Sequence, residues 1–384
     1  MNSRERVRLT LNHKEPDRVP IDLGGFQSGM SYEAYIGVKN FLGIESETLI
    51  SEPIQGLAKI DEEVLNQFNV DTRYIFPKSP YNWDGTVKED GFFFDNWGIK
   101  WCHSFYDEWG IKWHRPSNSH YYDMVDRKLK DIDNKSLEEF SWPNPDAPGR
   151  VDNLEKEIRY LFESTNYSIF SSGFGLFELS WQMYGLEDYF MSTITRTKSI
   201  EKFLDKILES LKGLYGKFLD IAGKYLDCFM VYSDLGTQRG PIIAPKFYKD
   251  IIKDRDKELI KMIKDKSNVK VALHTCGAVY GFIPDIIDAG YDVLNPIQTT
   301  AYGMDAKKLK KEFGKDLVFW GAMDTQKILP FGTVEDVKNE VRQKISILGK
   351  GGGYIFAPCH NIQANTPPEN IITMFKEVEE VYKE

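Results

Sequence analysis

His274 and Cys276, one residue apart, and Cys359 further along the chain are the side chains of this sequence best suited to hold a metal ion. Each stands where an apolar run ends. Side chains alternate along a β-strand with period two, so a His-x-Cys pair at a strand end turns both groups to one face. A thiolate from a later strand end would complete a set of one imidazole nitrogen and two sulfurs. Three protein ligands with a fourth position open is the arrangement of a catalytic rather than a structural zinc. Zinc held by two thiolates and an imidazole is a modest Lewis acid that keeps a further thiolate or alkoxide deprotonated at neutral pH. Such a centre favours alkyl transfer at sulfur or oxygen over hydroxide attack on an amide.

Taken singly, Cys276 reads as a small buried apolar residue and His274 as a core histidine with a hydrogen-bond partner. The metal reading rests on the three residues together. Pro358 ends its strand and places Cys359 in the following loop. Cys102 and Cys228 have no comparable neighbours and read as structural. Three roles are open to His360: ligand in place of Cys359, proton shuttle, or surface hydrogen-bonding group. Asp234, in YSDLGTQ, and Asp324, in GAMDTQ, are placed either to orient a ligand or to cap the next helix. Gln298 offers a neutral amide to an uncharged polar group, and Asp22 stands at the end of the first strand. Gly173 and Gly175 allow the close approach of a flat ligand, or a tight turn.

These positions recur because of the elements that carry them. Apolar runs begin at Val19, Thr72, Tyr167, Cys228, Lys270, Asp292, Leu317 and Tyr354. Amphipathic stretches follow most of them, the clearest at 197–224, 245–266, 333–349 and 367–383. Strands alternating with helices imply a parallel sheet, and eight such units imply a closed (β/α)₈ TIM barrel, with its active site at the C-terminal strand ends. An open doubly wound sheet would need a glycine-rich fingerprint that Gly24-Gly25 does not complete. Thr366-Pro367-Pro368-Glu369 predicts a helix start with Thr366 as N-cap and Pro367 at the first helical position. Gly351-Gly352-Gly353 ends the preceding helix and turns the chain into the last strand.

One segment interrupts the alternation. Residues 78–150, after the second strand, form an aromatic-rich insertion within an otherwise single barrel domain spanning 1–384. Asp95-Asn96-Trp97-Gly98-Ile99-Lys100-Trp101 returns as Asp107-Glu108-Trp109-Gly110-Ile111-Lys112-Trp113. Two copies predict strands of a small antiparallel sheet, not a solenoid.

Composition narrows the function classes. A net charge of −9, from 49 basic and 58 acidic residues, gives no support for nucleic-acid binding. Four cysteines in 384 residues do not make a disulfide scaffold and fit a reducing compartment. The charged opening has no apolar signal core, and no apolar stretch approaches a membrane span. The expected location is the cytoplasm.

The stretches EPDRVPIDLGG, SDLGTQRGPIIAPKFY, LHTCGAVYGFIPDIIDAGYDVLNPIQ, FWGAMDTQ and APCHNIQANTPPEN resemble the uroporphyrinogen decarboxylase superfamily, and within it the corrinoid-dependent methyltransferase branch. The resemblance runs the length of the chain. It implies a (β/α)₈ barrel, zinc on His274, Cys276 and Cys359, and methyl transfer between a small substrate and the cobalamin of a partner corrinoid protein. The methyl ether, methanol and methylamine types are the substrates it implies. In that reading His360 and Asp234 serve catalysis, Asp22, Gln298 and Asp324 contact substrate, and Gly173 and Gly175 face the cofactor. The tetrapyrrole decarboxylases of the superfamily carry an N-terminal arginine motif where this chain has IDLGGFQSG. A metal-free tetrapyrrole decarboxylase and a non-catalytic corrinoid- or tetrapyrrole-binding protein are the alternatives.

Overall fold

The apolar runs assemble into one parallel sheet in the computed structural model, which describes residues 1–80, 92–94, 100–102, 104–116, 119, 121–129, 132–195 and 198–383. Its strands are β1 (Thr72–Tyr74), β2 (Ser168–Phe174), β3 (Cys228–Tyr232), β4 (Lys270–His274), β5 (Val293–Asn295), β6 (Val318–Met323) and β7 (Tyr354–Pro358). Strand order follows chain order from β1 to β7, every pairing is parallel, and the chain returns through helices between strands. The first predicted strand closes the sheet. The Asp22 amide donates to the Phe356 carbonyl at 2.9 Å, and Phe356 donates to Pro20 at 2.8 Å. On the other side Asp71 donates to Ile21 at 2.8 Å, so segment 19–23 bridges both edges. The fold is the expected TIM-barrel type.

Side chains pointing inward form their own core. Phe170, Met230, Ala272, Val293, Trp320 and Ile355 pack together inside the barrel, and Val7 and Leu11 of helix Ser3–Leu11 join them. The larger apolar cluster lies between the sheet and the surrounding helices. Burial on both faces explains why the strands read as unbroken apolar runs.

The predicted helices occur as Lys198–Ala222, Val334–Lys344 running into a π turn at Ile345–Gly349, and Pro368–Glu380. The 245–266 stretch runs from Pro245–Phe247 through a π turn at Tyr248–Ile252 into Lys253–Lys266. The last helix corrects one expectation. Its N-cap is Pro367, with φ −60° and ψ 130° and no side-chain cap, rather than Thr366. A residue preceding proline is driven out of the helical region, so Pro368 holds Pro367 extended and delays the start by one residue. Gly351, Gly352 and Gly353 all take positive φ, between 71° and 81°. At Gly352 a Cβ would fall 2.4 Å from the Lys14 backbone, so only glycine passes there.

Between β1 and β2 the chain forms small antiparallel sheets. One pairs Phe92–Phe94 with Lys100–Cys102, and a three-stranded one joins Ser104–Tyr106, Ile111–His114 and Asp123–Arg127. The second copy of the sequence repeat supplies the tight turn and strand of this second sheet. Residues 95–99 of the first copy, and the Cys102 side chain, lie outside the described residues. Among the described residues no helix is long and apolar enough to cross a membrane.

Candidate metal centre and its cavity

His274 is the last residue of β4, paired in register with Tyr232 on one side and Asn295 on the other. The strand ends there, so Cys276 sits in the loop beyond it rather than on the strand. The two still meet, with Cys276 Sγ 3.5 Å from His274 Nε2. Asp234 brings this about by accepting the Cys276 amide on Oδ1 at 2.7 Å, and the same oxygen lies 4.0 Å from His274 Nε2. The His360 ring, in the loop after β7, lies 6.3 Å from that of His274, centroid to centroid. Ligand atoms of His274, Cys276 and His360 all lie within 4.8 Å of one another, one of them buried and two half-buried.

Cys359 is arranged differently. Its thiol donates to the Ile297 carbonyl at 3.3 Å, and it stands outside this group of three. It remains close enough to Cys276 for the two thiols to affect each other's ionisation. Cys228 is fully buried in the barrel core, as the sequence suggests.

The donor set fits a borderline-soft divalent ion such as zinc. Nitrogen and sulfur are zinc's usual ligands, and tetrahedral bonds of ~2.0–2.3 Å separate neighbouring donors by roughly 3.5 Å. Asn295 accepts the His274 Nδ1 hydrogen, which leaves the Nε2 lone pair aimed at Cys276. A ligating histidine is normally anchored through its other nitrogen in this way. Burial lowers the pKa of His274, and burial together with His274 pushes His360 down to about 4, so both rings are neutral at pH 7. Burial, then the Asp234 charge, drives the Cys276 thiol well above its ordinary value. Burial, then Asp324, pushes Cys359 up to about 12. Ionising these thiols costs free energy that a bound cation would offset.

A cavity of about 520 Å³ opens beside His274 and His360. Phe26 and Phe76, stacked at 3.8 Å, line it together with Trp109 and Trp113 of the insertion and Phe174. Its polar wall includes Glu178, Gln182 and Asp234. Among the described residues, the cations along its wall are ion-paired: Lys78 with Glu157, Arg150 with Glu108, and Lys217 with Asp146.

Of the other predicted site residues, Gly173 lines the cavity, where an added Cβ would meet the Tyr215 hydroxyl at 2.3 Å. Gly175 lets helix α1 (Leu176–Tyr184) start against the Tyr232 carbonyl, to which its amide donates at 2.7 Å. Asp22 lies inside the barrel, its oxygens accepting from Thr72, Tyr74 and Trp320. Gln298 Oε1 accepts the Gly277 amide at 2.6 Å and Gln238 at 3.0 Å, bracing the Cys276 loop from behind. Asp324 accepts the amides of Gln326 and Lys327, the capping role open to it from the sequence. Sequence reasoning passed over Asn295, Glu178 and Gln182. The signal for Glu178 was an acid within the apolar run of α1.

The uroporphyrinogen decarboxylase (URO-D) family profile matches residues 127–381. A curated relative, the uroporphyrinogen decarboxylase of Psychromonas ingrahamii, is 22% identical over 252 residues, covering 63% of this chain. The chain spans 65% of the length of that relative. The solved structure of a methyltransferase from Methanosarcina mazei superposes with a TM-score of 0.67 at 17% identity, over 100% of this chain and 99% of its own. That likeness is one of fold. With the family profile spanning well over half of its length, the chain belongs to the uroporphyrinogen decarboxylase (URO-D) family.

Proposed function

We propose that this chain is a zinc-dependent methyltransferase. It moves a methyl group between a small methylated substrate, of the methyl ether, methanol or methylamine type, and the cobalamin of a corrinoid partner protein. The observation that carries this reading is the convergence of His274, Cys276 and His360 beside an aromatic cavity. His274 and Cys276 would hold the metal, with a third donor from the adjacent pair Cys359 and His360. When bound, zinc supplies Lewis acidity at the atom losing the methyl group, and the partner's reduced corrinoid supplies the nucleophile.

The chain's own residues do the rest. Asn295 fixes the His274 ring, and Asp234 fixes the loop that carries Cys276. Phe26, Phe76, Trp109 and Trp113 give a small apolar donor a dry wall, where charge developing on the leaving atom is felt more strongly than in water.

Family membership favours a second reading, metal-free decarboxylation of a tetrapyrrole. Such a substrate brings several carboxylates and needs cations to meet them. Among the described residues, the cations that line the cavity are already paired with Glu157, Glu108 and Asp146.

Metal analysis separates the two readings. The methyltransferase reading expects about one zinc per chain, lost in Cys276→Ser, and zinc-dependent methylation of added cob(I)alamin by methyl ethers or methylamines. Full activity of metal-free protein would sink it.

A further inference from the structure

We propose that Asn361 is a positioning residue that couples the metal centre to the aromatic cavity, so that filling the cavity alters how the metal is held. This role deepens the methyltransferase reading and rests on the metal centre which that reading requires.

Asn361 follows His360 in the loop after β7 and is only 1% exposed. Its side chain ties that loop to two segments far back in the chain. Nδ2 donates to the Phe26 carbonyl at 2.8 Å and to Gln55 Oε1 at 2.9 Å, and Oδ1 accepts the Gly29 amide at 2.7 Å. A backbone amide only donates and a backbone carbonyl only accepts, so these partners fix which end of the side chain faces which group. Backbone bonds hold the next residue to the same segment. The Ile362 amide donates to Gly29 at 2.9 Å, and Ser31 donates to Ile362 at 2.8 Å. At Gly29 an added Cβ would stand 3.0 Å from the Gly25 carbonyl and 3.4 Å from Asn361 Oδ1, so the close approach favours glycine.

The two ends of this clip belong to the two parts of the site. Phe26, Gln55 and His360 all line the cavity. The Phe26 ring lies on Phe76 at 3.8 Å, and Phe76 stacks in turn on Tyr74 at 5.5 Å. The Tyr74 hydroxyl is anchored on Asp22 inside the barrel at 2.8 Å. The ring wall is thus backed by the barrel interior and tied through Asn361 to the His360 loop. That loop offers the metal two adjacent donors. Cys359 is held on the Ile297 carbonyl at 3.3 Å, and His360 stands with His274 and Cys276. A displacement of the clip therefore changes which donor atoms reach the metal, and at what angle.

Close-packed interiors are stiff and pass a displacement on instead of absorbing it. A ligand that presses on Phe26 moves the carbonyl that Asn361 holds, and Asn361 carries the movement to His360. Such coupling is reciprocal, so metal binding changes the affinity of the cavity by the same factor, typically about 5–150-fold.

The test uses Co²⁺ in place of zinc, because its visible absorption reports the ligands and geometry around it. The cavity ligand is toluene, which suits an aromatic wall and has no donor atom of its own for a metal. Saturating toluene should shift the Co²⁺ bands of wild type, and its affinity should differ by about 5-fold or more between loaded and metal-free protein. Asn361→Ala should keep about one Co²⁺ per chain, with bands that toluene leaves unmoved and the two affinities within about 2-fold. A full shift in Asn361→Ala, as displacement of a metal-bound water alone would give, overturns the Asn361 role. So do wild-type bands that toluene leaves unmoved, whether or not it binds. Wild type that takes up no Co²⁺ overturns the metal centre, and the methyltransferase reading with it. Should Asn361→Ala not fold, Phe26→Leu keeps the clip and removes the ring that is pressed. At saturating toluene that variant must lose the shift, and bands that still move in full overturn the proposal.

Discussion

Asn295 Oδ1 lies 2.5 Å from His274 Nδ1, while the amide nitrogen of Asn295 reaches the Trp320 carbonyl at 3.4 Å. A carbonyl only accepts, so the second bond fixes which end of the amide faces the histidine. The Nδ1 hydrogen is thereby tied down, and the Nε2 lone pair is presented to Cys276. Removing this anchor should loosen the ring without touching a ligand. Asn295→Ala is expected to bind zinc about 10–100-fold more weakly, with Asn295→Asp retaining most of the affinity. Competition against a chromophoric chelator measures this. Wild-type affinity in the alanine variant would show that Asn295 does not serve the metal.

That pair also marks where the sequence stops being legible. The apolar runs and their helices were readable because parallel strands are buried on both faces and announce themselves residue by residue. Asn295 reaches His274 only through the register of β4 with β5, which no local pattern encodes. Strand parity predicted that His274 and Cys276 share a face, yet β4 ends at His274. Their approach depends on a carboxylate from the loop after β3. Glu178 was hidden for a related reason: an acid within an apolar helix reads as an imperfection until the cavity it faces is seen.

Asp107 holds together the turn that carries two cavity tryptophans. Its Oδ1 accepts the amides of Trp109 and Ile111, each at 2.9 Å, and Oδ2 accepts Trp113 Nε1 at 2.8 Å. Asp107→Ala strands three buried donors and should cost about 2–4 kcal/mol within this small sheet. Tryptophan emission should shift to the red as Trp109 and Trp113 meet water, and KM for a methyl donor should rise while zinc content holds. Unchanged emission and KM would mean that the turn is fixed by other contacts.

Asp256 makes stability depend on pH. It lies buried in the helix Lys253–Lys266 and accepts the Tyr248 hydroxyl at 2.9 Å, and burial raises it from 3.8 to about 7. From about pH 4 to about pH 7 the native protein keeps a proton that the unfolded chain has lost. Stability is therefore drained as pH rises through that window. Asparagine keeps an acceptor for Tyr248 and has nothing to ionise. Asp256→Asn should match wild type in acid and exceed it by about 1–3 kcal/mol at pH 8, as read from denaturant unfolding at the two pH values. A gain independent of pH would separate the effect from ionisation.

The third metal ligand can be counted in protons. At pH 7 both imidazoles are neutral and both thiols are protonated, since burial lowers the first pair and raises the second. Zinc takes thiols only as thiolates, so each cysteine it binds releases one proton, whereas a neutral imidazole releases none. The Cys359 thiol is at present engaged only by the Ile297 carbonyl, and S–H is a weak donor that zinc readily outcompetes. We therefore expect about two protons released per zinc in wild type, about one in Cys359→Ser and about two in His360→Gln. Affinity should climb with pH across the neutral range, its logarithm rising by about two per pH unit for wild type. Isothermal titration in buffers of different ionisation enthalpy gives the count directly. About one proton in wild type, unchanged in Cys359→Ser, would assign the third position to His360 and leave Cys359 on the Ile297 carbonyl.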